Sequence, residues 1–149
     1  MGTEFNSVPI TKRKDVNYKR GGIKKEMFNI FKREGLFGDV SQITPDEAFK
    51  KLSEDKESKN TLVIDVREPN EYNGNLGHIE NSRLIPIRLL PLKIQELENH
   101  KDKDIIAVCH SGARSYSACT MLKRHGFNKV HNLKGGMLLW KKMGLKTHI

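Results

Sequence analysis

The sequence predicts an α/β fold in which a doubly wound, mainly parallel five-stranded sheet is flanked by helices. Two apolar segments, residues 61–66 and 104–109, are rich in β-branched residues, as strands covered on both faces are. Segments with strand and helix patterns alternate around them. Because parallel strands are joined by crossover helices, this alternation predicts helices on both faces of one sheet.

The first predicted strand and helix lie at the start of the domain. Residues 40–43 have a strand pattern. Thr44 then precedes Pro45 and Glu47, and this spacing is a capping box with proline at the first helical position. It predicts a helix over residues 45–52.

The middle of the chain is predicted to contain a long loop, a strand and a helix. Residues 67–77 are rich in turn-forming residues, so we expect a loop there. Residues 84–87 have a strand pattern, and the apolar positions of residues 89–98 follow helical spacing. Pro91 fits only the first turn of that helix, because proline lacks an amide hydrogen.

Three further elements complete the predicted domain. Residues 115–125 are predicted to form a helix that ends at Gly126, since glycine is favoured just past a helix C-terminus. A last strand is expected over residues 129–132 and a last helix over residues 136–142. Ligands of doubly wound sheets bind beyond the carboxyl ends of the strands, so the residues that follow the apolar strands are the first candidates for a site.

Length and composition favour one domain, predicted to span residues 37–149. The chain has 149 residues, of which 36% are hydrophobic and 30% charged, as in soluble globular proteins. No apolar run approaches the roughly 20 residues that cross a bilayer, and the N-terminus lacks the pattern of a signal peptide. With two cysteines that need no disulfide, these observations predict a cytoplasmic protein with free thiols.

Residues 1–36 are predicted to form a basic, flexible N-terminal extension. The net charge of the chain is +9, and residues 1–35 contribute +5, with nine Lys or Arg against four Asp or Glu. Apolar residues at helical spacing predict a short amphipathic helix over residues 23–33. Packing on the domain, contact with a membrane surface and disorder until a partner binds are three alternatives for it. Few aromatic residues accompany the basic ones, so no nucleic-acid partner is expected.

A cysteine directly follows the second apolar strand. The segment from Cys109 to Ser115 reads CHSGARS, and a predicted helix begins at its end. Glycine in so short a loop lets backbone amides turn inward as an anion-binding nest. The helix N-terminus adds partial positive charge, and Arg114 adds a full one. These effects favour the thiolate, so Cys109 is the predicted nucleophile, exposed at the edge of the sheet.

Several motifs together resemble those of the single-domain rhodaneses over roughly residues 42–144. Besides CHSGARS they are DVREP at 65–69, EY at 71–72, GHI at 77–79, IP at 85–86, GF at 126–127 and GG at 135–136, followed by Trp140. The resemblance implies a parallel α/β sheet flanked by helices. That fold agrees with the one predicted from the strand and helix patterns.

The resemblance implies a sulfurtransferase that works in two steps. Cys109 takes sulfur from a small anionic donor such as thiosulfate, becomes a persulfide, and passes the sulfur to cyanide or to the thiol of a small molecule or protein. Backbone amides of the loop would cradle the persulfide, and Arg114 would bind the donor and orient the loop. The loop residues implicated are His110, Ser111, Gly112, Ala113, Arg114 and Ser115.

Two alternative functions fit the same motifs. One is a persulfide carrier or protein-interaction module with little small-molecule turnover. The other is a phosphatase or arsenate reductase of similar fold, but those carry one more residue than the four that separate Cys109 from Arg114. The sequence has no P-loop, no dinucleotide glycine pattern and no zinc spacing of Cys and His, so neither a cofactor nor a metal is expected.

Two charged residues at and just after the end of the first apolar strand are predicted to support the Cys109 loop. Asp65 either pairs with Arg67 or Arg114, or caps local backbone amides. His110 is expected to contact substrate or solvent and not to act as a base. A supporting role, and not direct catalysis, is therefore predicted for Asp65 and Arg67.

Three other residues are expected to be structural. Cys119 lies on the inner face of a predicted helix, where a free cysteine behaves as a small apolar residue. His78 is expected to make a structural hydrogen bond. Trp140 is expected to pack in the core or at its rim.

Overall fold

A computed structural model of the protein describes residues 39–149, which contain a five-stranded sheet. The strands are β1 Ser41–Ile43, β2 Thr61–Asp65, β3 Arg83–Leu84, β4 Asp104–Val108 and β5 Val130–Leu133. Their order in the sheet is β1-β5-β4-β2-β3, and every neighbouring pair is parallel. The predicted doubly wound sheet is confirmed, and its pairing is parallel throughout.

Helices connect these strands. The α-helices are α1 Pro45–Glu54, α2 Pro69–Tyr72, α3 Leu90–Lys93, α4 Ala113–Arg124 and α5 Gly136–Lys142. Two 3-10 helices, Ile87–Leu89 and Ile94–His100, flank α3. Within residues 39–149 no helix is both long and apolar enough to cross a membrane. The predicted extension, with its helix at residues 23–33, lies outside the described residues.

Helix α1 begins as the sequence predicts. The Thr44 hydroxyl accepts a hydrogen bond from the Glu47 amide at 3.4 Å, and the Glu47 carboxylate accepts one from the Thr44 amide at 2.9 Å. Pro45 lies in the first turn, where its missing amide hydrogen costs nothing. The helix runs to Glu54, two residues past the predicted end, before Asp55 caps it.

The connection between β2 and β3 contains a helix that the sequence analysis missed. Residues 67–77 are expected to form a loop, but α2 lies inside this range. Pro69 sets the backbone of its first turn. The Glu71 carboxylate accepts a hydrogen bond from the Glu68 amide at 2.9 Å, which satisfies an otherwise free donor at the helix start.

Two predicted elements in the middle of the chain differ from expectation. The predicted strand 84–87 is reduced to β3. The amides of Ile85 and Ile87 still donate to the carbonyls of Asp65 and Val66 at 2.9 and 3.0 Å, but the chain enters the 3-10 helix at Ile87. The predicted helix 89–98 is divided into α3 and the two 3-10 segments. Pro91 lies in the first turn of α3, the one place in that helix where proline is tolerated.

The last three elements follow the prediction with small shifts. Helix α4 begins two residues before the expected Ser115, because Gly112 takes a left-handed φ of +102° and turns the chain directly into the helix. Strand β5 is displaced by one residue from the predicted 129–132. Helix α5 has the predicted bounds.

Two apolar clusters form the core, one on each face of the sheet. Along β4, the side chains of Ile105 and Ala107 belong to one cluster, whereas those of Ile106 and Val108 belong to the other. This alternation follows from the two-residue period of a strand. Trp140 is buried in the second cluster, as expected.

Candidate active site

Two segments of interest leave the sheet side by side. Strands β2 and β4 are parallel neighbours, and Asp65 at the end of β2 is paired in register with Val108 at the end of β4. Cys109 follows β4 directly. The Cys109 loop and the segment that contains Asp65 and Arg67 therefore begin at the same edge, as ligand sites of such sheets do.

The Cys109 sulfur lies inside the loop that follows it. The Gly112 amide donates a hydrogen bond to Sγ at 3.0 Å, and the Ser115 hydroxyl donates another at 3.2 Å. Cys109 is only 1% exposed. The prediction that it is exposed at the sheet edge is therefore wrong, because the loop turns back over the sulfur before helix α4 begins.

Helix α5 also covers the loop. The Met137 amide donates to the Cys109 carbonyl at 2.9 Å, and the Leu138 amide donates to the His110 carbonyl at 3.1 Å. A Cβ atom on Gly136 would lie 2.5 Å from both carbonyl oxygens. Glycine at this position therefore permits the close approach of α5, a role that the sequence analysis did not assign.

Donors around the sulfur decide the ionisation of Cys109. Burial alone would raise its pKa, because it disfavours the charged thiolate. The Ser115 hydroxyl and the backbone amides of Ser115, Gly112 and Ser111 oppose that effect, and the pKa of Cys109 lies below its ordinary value. The loop amides that were predicted to form a nest thus face the sulfur.

Asn132 at the end of β5 holds two parts of the loop, and the sequence analysis missed it. Its side-chain amide donates to the Gly112 carbonyl at 3.1 Å and to Gln42 Oε1 at 3.1 Å. Its Oδ1 lies 2.5 Å from the Ser115 hydroxyl oxygen. Because asparagine is rare in strands, a buried one at the carboxyl end of a strand is a signal that could have identified it.

The single Ser115 proton is shared between two acceptors. A hydroxyl donates one hydrogen bond at a time, and both Cys109 Sγ and Asn132 Oδ1 lie within its reach. When Cys109 is ionised, its thiolate is the stronger acceptor. Asn132 then receives the hydroxyl only when the sulfur is protonated.

Arg114 makes a contact that the sequence analysis did not predict. Its Nη1 and Nη2 donate to the two carboxylate oxygens of Glu71 at 2.8 and 2.7 Å. The Arg114 side chain beside it lowers the pKa of Glu71 to about 2. Arg114 is expected to bind the donor and orient the loop, and in the structure its charge is paired with a carboxylate from α2.

Asp65 and Arg67 form a buried ion pair. Arg67 is 0% exposed, and its Nε and Nη2 donate to the Asp65 carboxylate at 2.9 and 2.7 Å. Its remaining donors reach the carbonyls of Glu71 at 3.1 Å and Gly77 at 2.7 Å. Of the alternatives for Asp65, the structure therefore has the pair with Arg67, together with a bond to the Arg67 amide at 3.1 Å.

Three other residues of the Cys109 loop are less buried than Cys109 and Ser115. Ser111 and Ala113 are exposed, and His110 is half-buried. The His110 carbonyl is held by α5, which fixes the backbone on one side of the sulfur. These three residues contribute backbone to the loop, and among the loop residues that follow Cys109, Ser115 is the buried one.

The residues expected to be structural are placed accordingly. His78 Nδ1 lies 3.1 Å from the Tyr72 carbonyl, and the rings of His78 and Tyr72 stack at 3.7 Å. Cys119 is buried in the first core cluster. No group of three or more His, Cys, Asp or Glu side chains in residues 39–149 is arranged to hold a metal ion.

The chain is similar to known proteins over most of its described length. The family described as Rhodanese-like domain matches residues 45–143. A sulfurtransferase of Allochromatium vinosum is 34% identical over 106 residues, which cover 71% of this chain and 92% of that protein.

Solved structures show the same similarity. A rhodanese-related protein from Thermoplasma volcanium has 31% identity and a TM-score of 0.61, and the match covers 72% of this chain and 96% of that chain. A NAD-dependent persulfide reductase from A. fulgidus has 32% identity and a TM-score of 0.51, over 76% of this chain and 18% of that chain. Sequence and structure comparisons thus agree with the resemblance that the motifs indicate.

Proposed function

The chain belongs to the rhodanese-like domain family, and on that basis we propose that it is a sulfurtransferase that carries sulfur as a persulfide on Cys109. The observation that supports this most is the convergence of the Gly112 amide and the Ser115 hydroxyl on the Cys109 sulfur, at 3.0 and 3.2 Å. Donors in that arrangement stabilise a sulfur anion. Both the attacking thiolate and the resulting persulfide are such anions.

In the first step, the Cys109 thiolate attacks the outer sulfur of a donor such as thiosulfate. A sulfur–sulfur bond forms on Cys109, the sulfur–sulfur bond of thiosulfate breaks, and sulfite leaves with the electron pair. The negative charge moves outward by one atom, to the terminal sulfur of the persulfide. Small adjustments of the loop would keep the hydrogen-bond donors of Gly112 and Ser115 directed at that charge.

In the second step, a thiophilic acceptor attacks the terminal sulfur of the persulfide. With cyanide, a carbon–sulfur bond forms, the persulfide bond breaks, and thiocyanate leaves while the Cys109 thiolate is restored. A thiol acceptor leaves as a persulfide in the same way. The low pKa of Cys109 helps this step as well, because a stable thiolate is a good leaving group.

A persulfide carrier that delivers sulfur to another protein is the second candidate. Two exposed apolar side chains beside the loop favour it: Tyr116 and Leu138, which are 42% and 46% exposed. The amide of Tyr116 donates to the Gly112 carbonyl and that of Leu138 donates to the His110 carbonyl, so both residues adjoin the backbone of the loop. Aromatic and aliphatic side chains in such places are typical of protein-binding surfaces.

We also propose a reducing compartment, the cytoplasm, for this chemistry. Cys109 and Cys119 are both free thiols. A cysteine that must cycle between thiolate and persulfide requires surroundings in which thiols are not oxidised to disulfides.

The decisive experiment compares the wild type with Cys109→Ser. With thiosulfate and cyanide we expect thiocyanate formation by the wild type, and a loss of about a thousandfold or more in the serine variant. Mass spectrometry of the protein treated with donor alone should show one added sulfur atom, located on the peptide that contains Cys109. Cys119→Ser is the matched control and should keep both signals.

The same two measurements separate the candidates. Persulfide on Cys109 together with cyanide turnover indicates an enzyme for small acceptors. Persulfide on Cys109 with negligible turnover indicates a carrier. Full activity of Cys109→Ser would contradict both, and hydrolysis of an aryl phosphate that depends on Cys109 would favour the phosphatase alternative.

A further inference from the structure

Glu71 neutralises the one arginine of the Cys109 loop. The two carboxylate oxygens of Glu71 accept hydrogen bonds from both terminal nitrogens of Arg114, at 2.7 and 2.8 Å. This bidentate geometry is the strongest form of a carboxylate–guanidinium contact. The pair is only partly exposed, with side-chain exposures of 27% for Glu71 and 37% for Arg114, so water screens it incompletely.

The position of Glu71 is fixed from the rest of the domain. Its carboxylate also accepts a hydrogen bond from the Glu68 amide at 2.9 Å, at the start of helix α2. Its backbone carbonyl accepts a hydrogen bond from buried Arg67 at 3.1 Å. The carboxylate is therefore held in place, and an incoming anion meets a guanidinium whose charge Glu71 already compensates.

The charges around the sulfur leave no net positive charge for a donor with two negative charges. Asp65 is paired with Arg67, and Glu71 is paired with Arg114. Each pair sums to zero, so the Cys109 thiolate leaves this group of residues with a net charge of −1. The inward amides bind one sulfur anion, but an approaching dianion also meets the thiolate and the Glu71 carboxylate.

We propose that Glu71 determines the class of sulfur donor, and that the site favours a thiol persulfide, R–S–SH, over thiosulfate. This inference rests on the proposed sulfurtransferase function. A persulfide donor has at most one charge on its sulfur atoms, so it avoids most of the repulsion that thiosulfate experiences. The remaining N–H groups of Arg114 can still donate hydrogen bonds to it, because guanidinium has five and Glu71 takes two.

The loading step balances for this donor. The Cys109 thiolate attacks the terminal sulfur of R–S–SH, a new sulfur–sulfur bond forms, and the old one breaks. The thiolate R–S⁻ leaves with the electron pair, and the transferred sulfur keeps its proton until the loop amides favour its ionisation. No oxidant or reductant enters, since one persulfide replaces another.

The test measures the rate at which each donor loads Cys109. Wild type and Glu71→Gln are mixed with thiosulfate or with cysteine persulfide, quenched, and analysed by mass spectrometry for added sulfur on the Cys109 peptide. We expect Glu71→Gln to raise the ratio of the thiosulfate rate to the cysteine persulfide rate by about tenfold. The ratio does not depend on the folded fraction, so partial unfolding of the variant would not imitate this result.

Glu68→Gln is the matched control. It removes the same charge from the residue that caps helix α2, but Glu68 pairs with Arg88 at the surface. We expect its donor ratio to stay within about twofold of the wild type, because surface charges are strongly screened. A rise equal to that of Glu71→Gln would reduce the effect to overall charge and overturn the proposal.

A double variant tests whether the change in donor ratio caused by Glu71→Gln depends on Arg114. In Glu71→Gln with Arg114→Gln, the gain for thiosulfate should disappear, since the released guanidinium is its source. An unchanged ratio in Glu71→Gln, in a chain that does load Cys109, overturns the role of Glu71 alone. Absence of sulfur on Cys109 with either donor overturns the sulfurtransferase function itself.

Discussion

Cys109 and Cys119 are both buried free thiols, yet the protein shifts their pKa values in opposite directions. Cys109 is 1% exposed and Cys119 is 0% exposed. Burial raises the pKa of Cys119 to about 12. The pKa of Cys109 lies below its ordinary value although burial acts on it as well.

The difference lies in what faces each sulfur. Cys119 lies in the middle of α4, where the backbone amides are used by the helix and the neighbouring side chains are apolar. Cys109 lies before the first turn of the same helix, where amides have no helical partner and are free to face the sulfur. Burial without aimed donors makes a cysteine inert, and burial with them makes it a stabilised anion.

The largest expected effect is on the alkylation rates of the two thiols. Only a thiolate is alkylated, and a pKa of about 12 leaves about one part in ten thousand of Cys119 ionised at pH 8. At pH 8, iodoacetamide should therefore modify Cys109 at least about a thousandfold faster than Cys119. Mass spectrometry of the two cysteine peptides over time measures both rates.

Single-cysteine variants provide the controls for that comparison. Cys119→Ser should be alkylated as fast as the wild type, and Cys109→Ser should be almost unreactive until it is unfolded. Equal rates at the two sites in the folded protein would contradict the contrast. A Cys109 that stays unmodified at every pH would mean that reagents do not reach the sulfur, and the proposed function would fail with it.

The effect of burying a charge, like that of burying a thiol, should depend on the groups that face it. Asp65→Asn removes the charge that faces fully buried Arg67 and leaves the guanidinium without its counterion. Removal of one partner from a buried ion pair costs about 3–5 kcal/mol. We expect the free energy of unfolding, measured by urea titration, to fall by that amount.

The exposed Asp102 supplies the control for this loss of charge. Asp102→Asn removes the same charge at an exposed position and should change the stability by about 0.5 kcal/mol or less. A similarly small effect of Asp65→Asn would show that the buried pair contributes specificity of structure and little stability.

Ser115→Ala should reduce the difference between the pKa values of Cys109 and Cys119 without removing it. The Ser115 hydroxyl is one of the donors that lower the pKa of Cys109, so its loss raises that pKa. Because alkylation and sulfur loading increase with pH until the thiol is fully ionised, the rising part of the pH profile should move to higher pH. At pH 7 we expect a rate loss of about tenfold, and a smaller loss well above the pKa.

Ser117→Ala is the companion substitution, two residues further along the same helix. Its side chain is exposed, so its loss should leave the pH profile in place. A Ser115→Ala profile that superimposes on the wild type would assign the low pKa of Cys109 to the backbone amides alone.

The sequence predicted the fold where local chemistry decides the structure. The two apolar strands and the capping box of Thr44 are properties of adjacent residues, and each lies where expected. Helix α2 was missed because four residues are too few for a periodic pattern. The strand expected over residues 84–87 is shorter in the structure, because a 3-10 helix begins at Ile87, where the apolar pattern still resembles a strand.

For the candidate site too, part of the structure could be predicted from the sequence and part could not. Cys109, Gly112 and Ser115 share one short segment, so sequence reasoning could place them around one sulfur. Glu71 and Asn132 lie 43 and 17 residues from their loop partners, and only the parallel order of the strands brings them there. Burial of Cys109 was missed because it depends on the approach of α5 through Gly136.

The smallest expected effect separates backbone strain from donor geometry. Gly112 and Gly126 have φ angles of +102° and +88°, and a Cβ atom would meet nothing closer than 3.5 Å at the first and 3.8 Å at the second. Alanine at either position should therefore cost about 1–2 kcal/mol of stability, through backbone strain and without a clash.

Gly112→Ala should also slow alkylation of Cys109, because relaxation of the backbone turns the Gly112 amide away from the sulfur, whereas Gly126→Ala should not. Thermal unfolding measures the loss of stability in both variants, and alkylation at pH 7 measures the reactivity of Cys109. Equal alkylation rates would mean that the backbone amide of residue 112 still points at the sulfur when alanine replaces glycine.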